Sequence, residues 1–351
     1  MRFDHDTLPQ RIRFASGAAA DNLAAEIKSL GVSRVMVIAT EAGREPAEQI
    51  TAGLPVAYRH SEVAMHVPVE VAERARAEAA RHQVDALVCV GGGSTTGLAK
   101  AVALTTGLPI VAVPTTYAGS EATNVWGLTR DGHKTTGVDD RVLPRTIVYD
   151  ASLTLTLPVE MSVASGLNAL AHCVDSMWAP RADPVNRALA AEAIRGLRTG
   201  LPLVHDDPTG LEGREYALYG AYLSAVAFAS AGSGLHHKIC HVLGGMFDLP
   251  HAQTHAVVLP YVLAFNAPSA PEAEQRIAAA FGAATAGEGL RLLRGRLNAP
   301  RALRDYGMPE SGIAAAGREV LAAAPAHNPA PITLDNITEL LRAAWEGADP
   351  R

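Results

Sequence analysis

Histidine is unevenly spread along this chain. Of 13 in 351 residues, five (His236, His237, His241, His251 and His255) fall within one twenty-residue stretch, where a uniform spread would place fewer than one. His237 and His241 stand four apart, so on a helix they share one face. His251 follows in the turn-like segment FDLPHAQTH. Upstream, Asn168 and His172 are also four apart, within SGLNALAHCVDS. Imidazole is the commonest side-chain metal ligand and the usual proton carrier near neutral pH. Two helical pairs plus a loop histidine is therefore a metal-site layout. Asn168 cuts against it, because a neutral amide oxygen binds a divalent ion more weakly than a carboxylate. The residues alone leave three readings open: a catalytic metal, a metal-free proton and anion site, or histidines bonded within a core. Cys173 and Cys240 lie one residue off the proposed faces and read as small buried packing residues.

Two loops carry a different chemistry. Gly91-Gly92-Gly93-Ser94 follows the apolar run ALVCV and precedes a helical pattern. Glycines there let a backbone approach a ligand, and a helix N-terminus offers N–H groups to a pyrophosphate. The spacing is not GxGxxG, since the next glycine is Gly97. Pro114-Thr115-Thr116-Tyr117 follows a second apolar run and could line a cofactor crevice or be an ordinary hydroxyl-rich turn.

The elements that must position these residues change character along the chain. Buried strands are expected over Arg34–Thr40, Ala86–Val90, Pro109–Val113 and Thr146–Tyr149. Helical patterns over 42–52, Val69–His82 and 95–105 lie between them. Continuous apolar runs alternating with helices predict a parallel, doubly wound sheet. After Leu157-Pro158 strand signals largely vanish, and Ala/Leu-rich helices run to the end. Two domains are expected: an α/β nucleotide-binding domain over 1–158 and an all-helical catalytic domain over 159–351. The apolar stretch from Tyr216 to Ala231 is shorter than the ~20 residues of a membrane span and reads as a buried helix. The chain is 48% hydrophobic and 19% charged, which excludes disorder. A net charge of -6 without a basic cluster argues against nucleic acid or anionic membrane as partners. Three cysteines, none in a CxxC, and no apolar leader segment point to a reducing, cytoplasmic setting.

The GGGS and PTT loops, GLNALAHCVD and HHKICHVLGGMFDLPHAQTHAVVLP together resemble the iron-containing (group III) alcohol dehydrogenase superfamily, and within it the maleylacetate reductases. The resemblance covers nearly the whole chain. It implies a Rossmann-like α/β domain and a helical domain in the dehydroquinate synthase-like fold, with the active site between them. It implies NAD(P)H-dependent reduction of the alkene of maleylacetate to 3-oxoadipate in aromatic degradation. Metal-binding relatives use an Asp and three His at the positions of Asn168, His172, His237 and His251. The maleylacetate reductases work without a metal, so the resemblance implies that none is required here. By the same matching, His241 lies near the nicotinamide and is the expected proton donor, with His251 second. Gly92, Gly93 and Ser94 match the pyrophosphate loop, Thr115 and Thr116 the nicotinamide-side loop, and Lys134 a cofactor-contacting lysine. Glu41 matches the reader of the adenine ribose, where a carboxylate favours NADH over NADPH. The expected substrate is a small dicarboxylate and the expected assembly a homodimer. Ala330, after His327-Asn328-Pro329, stands where relatives often carry a basic residue. A metal-dependent alcohol or aldehyde oxidoreductase, a lyase of the same fold and a histidine-rich metal-binding protein are the competing readings.

Overall fold

The structure is a computed structural model describing residues 2–130 and 133–350, with His133 and Lys134 described by their backbone only. The chain divides into two compact units. One is Leu8–Leu157; the other runs from Pro158 onward and includes the residues before Leu8.

The first unit alternates strands and helices: β1 (Arg11–Phe14), α1 (Ala19–Leu30), β2 (Val35–Ile38), α2 (Arg44–Ile50), β3 (Val56–His60), α3 (Val69–Arg81), β4 (Ala86–Gly91), α4 (Gly93–Thr106), β5 (Ile110–Pro114), β6 (Val125–Arg130), β7 (His133–Val138) and β8 (Thr146–Tyr149). Six strands form one parallel sheet in the order β1-β8-β5-β4-β2-β3. Its core strands are apolar throughout because both faces are covered. Met36, Leu87 and Ala112 face one cluster, and Val37, Val88 and Val111 the other. Each expected strand is present within a residue or two. Helix α1 had no sequence expectation, and neither did three strand elements: β1, β3 and the antiparallel β6–β7 hairpin. All three carry polar or partly exposed residues, so none shows the continuous apolar run of a central strand.

Lys100, in the middle of α4, is fully buried. Its ammonium donates to Thr123 O at 2.8 Å, Thr123 Oγ1 at 3.0 Å and Val125 O at 2.8 Å, tying α4 to the start of β6. Burial pulls its pKa from the usual 10.5 to about 7, with Glu121 opposing. Between those values the unfolded chain holds a proton that the folded chain has released. Stability therefore rises with pH across that window. Glu121 acts oppositely and lower: burial raises its pKa above the usual 4.5, so its contribution falls as pH climbs from there. Denaturant titrations of wild type and Lys100→Met at pH 7 and pH 10 should show a gain with pH only in the wild type. Equal pH dependence in both proteins would refute the assignment.

The second unit is helical: α5 (Val159–Ser176), α6 (Pro184–Asp206), α7 (Leu211–Ala231), α8 (Leu235–Phe247), α9 (His251–Asn266), α10 (Pro271–Phe281), α11 (Ala286–Arg296), α12 (Ile313–Ala323) and α13 (Leu334–Glu346). α5 is buried almost from end to end, including Asn168, His172 and Asp175. The apolar Tyr216–Ala231 stretch lies in α7. Among the described residues no helix is long and apolar enough to cross a membrane. α8 and α9 pack on α12 and α13 around Leu243, Val258, Ile313 and Leu341.

Candidate active site

In the first unit, the expected cofactor residues fall at the carboxyl ends of three neighbouring strands. Glu41 follows β2, Gly92, Gly93 and Ser94 follow β4, and Thr115 and Thr116 follow β5. Parallel strands put all three loops on one edge of the sheet, the usual ligand edge of open α/β folds. Two of them touch. Thr115 N donates to Gly91 O at 3.1 Å, and a Cβ on Gly92 would stand 3.0 Å from Thr116 Cγ2. No side chain caps α4, which leaves the N–H groups of its first turn to an anion. Gly91 has φ +153°, and a Cβ there would lie 2.5 Å from Thr95 Oγ1. Gly91→Ala should therefore cost about 1–3 kcal/mol of strain and displace the loop. The expected readout is weaker NAD(P)H binding by fluorescence titration; unchanged affinity would count against a cofactor role for this loop.

Glu41 is exposed and its carboxylate takes a hydrogen bond from Arg44 Nη1 at 2.6 Å. It carries its own counter-charge, so the charge argument for a free 2′-hydroxyl over a 2′-phosphate loses its basis. Lys134 lies in β7, with its backbone paired to Thr129; its side chain lies outside the described residues.

In the helical unit, the structure supplies a residue that sequence reading missed. Asp175 is fully buried at the end of α5. Its Oδ2 lies 2.6 Å from Nδ1 of His237 and accepts from Gly234 N at 3.1 Å and His237 N at 3.2 Å. The carboxylate thus sits against the N-terminus of α8, where N–H groups and helix dipole favour it. A Cβ on Gly234 would meet Asp175 Oδ1 at 2.5 Å, so this close approach needs glycine. Burial pushes the Asp175 carboxyl up to about 7, while the N–H donors pull it down. A signal was available: Asn168, His172 and Asp175 follow a 4,3 spacing, which puts them on one stripe of the helix.

Burial holds the pKa of His237 well below its usual value, so its ring is neutral at neutral pH. With Nδ1–H directed at Asp175, Nε2 presents a bare lone pair. Nε2 of His237, Nδ1 of His172 and Oδ1 of Asn168 are all buried without a hydrogen-bond partner. The rings of His172 and His237 stack at 5.0 Å between centroids, and Phe228 covers both at 4.9 and 4.3 Å. Burial also lowers His172 to about 4. His241 is half-buried on α8, its ring 6.2 Å from that of His237. His251, the first residue of α9, is exposed, and its ring lies 4.3 Å from that of buried His255. His236 is buried and its Nε2 lies 2.9 Å from Nδ1 of His255. Asn328 bonds back to Asn266 at the end of α9 through Nδ2 at 2.6 Å, which anchors the loop carrying Ala330.

A model of iron-containing alcohol dehydrogenases matches residues 9–151, and one of the C-terminal part of the Fe-containing alcohol dehydrogenase family matches residues 162–345. A maleylacetate reductase of Sphingobium indicum is 46% identical over 100% of this chain and 99% of its own. The crystal structure of an iron-containing alcohol dehydrogenase from Corynebacterium glutamicum is 62% identical, with a TM-score of 0.98, covering 100% of this chain and 98% of that one. The crystal structure of a maleylacetate reductase from Rhizobium sp. strain MTP-10005 is 42% identical, with a TM-score of 0.93 and full coverage of both chains.

These findings correct one expectation. The inference that no metal is required is overturned by the iron-containing family that both halves match. It is overturned also by buried His236, Cys240 and His255, whose ligand atoms lie within 4.8 Å of one another. The residues fit a cation. The unpartnered atoms of Asn168, His172 and His237 are lone-pair donors, and a carboxylate–histidine pair of the Asp175–His237 kind is the usual support for a metal-binding imidazole.

Proposed function

The chain belongs to the iron-containing alcohol dehydrogenase family, and on that premise we propose that it reduces the alkene of maleylacetate to 3-oxoadipate with NAD(P)H. The observation that carries this reading is the full-length likeness to maleylacetate reductases, at 46% identity for the relative from Sphingobium indicum.

NAD(P)H would supply the hydride for the alkene carbon β to the ketone, and Asn168, His172, His237 and His251 would hold a cation, which would supply Lewis acidity. The α/β unit binds the cofactor: Gly92, Gly93 and Ser94 receive the pyrophosphate, and Thr115 and Thr116 line the nicotinamide side. Negative charge develops on the ketone oxygen of the substrate, and Asn168, standing where metal-binding relatives carry an Asp, offers an N–H donor without adding a negative charge of its own. His172 and His237, held neutral by burial, keep their lone pairs available. His241, half-buried, delivers a proton to the carbon next to the ketone; His251, exposed, is the second donor only where its ring ligates no cation. The balance is one hydride from the cofactor and one proton from solvent through histidine. The enzyme works in the cytoplasm as a homodimer on a small dicarboxylate.

The test is oxidation of NADH and of NADPH with freshly generated maleylacetate, with 3-oxoadipate identified by mass spectrometry. Turnover of simple alcohols or aldehydes with none of maleylacetate would replace this reading with an alcohol oxidoreductase.

A further inference from the structure

His236 and Cys240 stand one turn apart on α8, and His255 reaches them from α9. Nε2 of His236 is 2.9 Å from Nδ1 of His255 and 3.6 Å from Sγ of Cys240. The three residues are 0%, 2% and 0% exposed. None occupies a position of the family's ligand set. We propose that His236, Cys240 and His255 form a second cation site, suited to a thiophilic divalent ion of the zinc class.

One proton shared between Nε2 of His236 and Nδ1 of His255 accounts for their 2.9 Å contact, but it leaves Nδ1 of His236 and Nε2 of His255 buried without a partner and the Cys240 sulfur only 3.6 Å from Nε2 of His236. A cation takes a lone pair from each atom at once. Two imidazoles and a thiolate are a zinc-type donor set, and the helical i,i+4 spacing holds two of them in place before binding. Binding releases the Cys240 proton to solvent and forms three metal–ligand bonds; no electron is transferred. Three protein ligands leave a coordination position open.

The test is optical and independent of turnover, so it can fail while maleylacetate reduction holds, and the reverse. The full-length protein is stripped with a chelator and titrated with Co²⁺. A sulfur-to-cobalt charge-transfer band in the near ultraviolet is expected in the wild type. It should be lost in Cys240→Ser and in His255→Asn, and kept in Cys173→Ser and Asn168→Ala. No such band in the wild type, or one that persists in Cys240→Ser, overturns the proposal. If Cys240→Ser does not fold, the wild-type spectrum and His255→Asn decide between the same two outcomes.

Discussion

Turnover of His241→Ala falls about 10²–10⁴-fold, the contribution of a positioned general acid. The reason is where the ring sits. Burial lowers the pKa of His172, His236, His237 and His255, so these rings stay neutral, with no second proton to give, at neutral pH. His241 and His251 are the two in the group that solvent reaches, and His251 stands at a ligand position, which leaves His241 to pass a proton from solvent. His241 stands one helical turn from His237, on the same face of α8. Because the proton is transferred only in the transition state, kcat should fall with KM little changed. Steady-state kinetics on the purified variant decide it. Turnover near wild type moves the role to His251, whose substitution then carries the loss.

Asp175 should be the next most sensitive position, by two separate routes. Asp175→Ala strips the acceptor from three N–H groups in a fully buried place, and each buried donor left unpaired costs about 1–3 kcal/mol. Denaturant unfolding reads that loss. Asp175→Asn is the more discriminating change. The amide oxygen still accepts from the backbone of α8, so most of the fold energy remains. That oxygen, in the place of Oδ2, also keeps the Nδ1–H of His237, but the negative charge behind the ring that strengthens Nε2 as a lone-pair donor is gone. Loss of an outer-shell carboxylate of this kind lowers metal affinity or activity about 10–100-fold. Asp175→Asn should therefore be nearly as stable as wild type yet clearly impaired. If it is as active as wild type, the pair serves stability alone.

Much of this could be read along the chain because it is local. Strands buried on both faces write themselves as apolar runs, so β2, β4, β5 and β8 were legible from their unbroken β-forming, mostly apolar stretches. The glycine and threonine loops follow from them, since what comes after a parallel strand lies on one edge of the sheet. β1, β3 and the hairpin were not legible, because edge and surface strands mix polar residues into the pattern. The Asn168–His172 and His237–His241 pairs were visible as helical spacings. Asp175 was overlooked beside them, although it continues the same stripe.

Partnership between distant segments is a different matter. Asp175 and His237 are 62 residues apart, and their 2.6 Å contact exists because α8 begins against the end of α5. His236 and His255 meet across two helices, and Cys240, which reads from its position as packing, lies against them. Periodicity says which residues share a face of one helix. It does not say which faces meet, because that depends on the volumes of every side chain packed between them. The chemistry on offer was thus written in residue types and spacings. Which histidine keeps a lone pair, which carries a proton and which joins a thiol was settled by helix packing and burial.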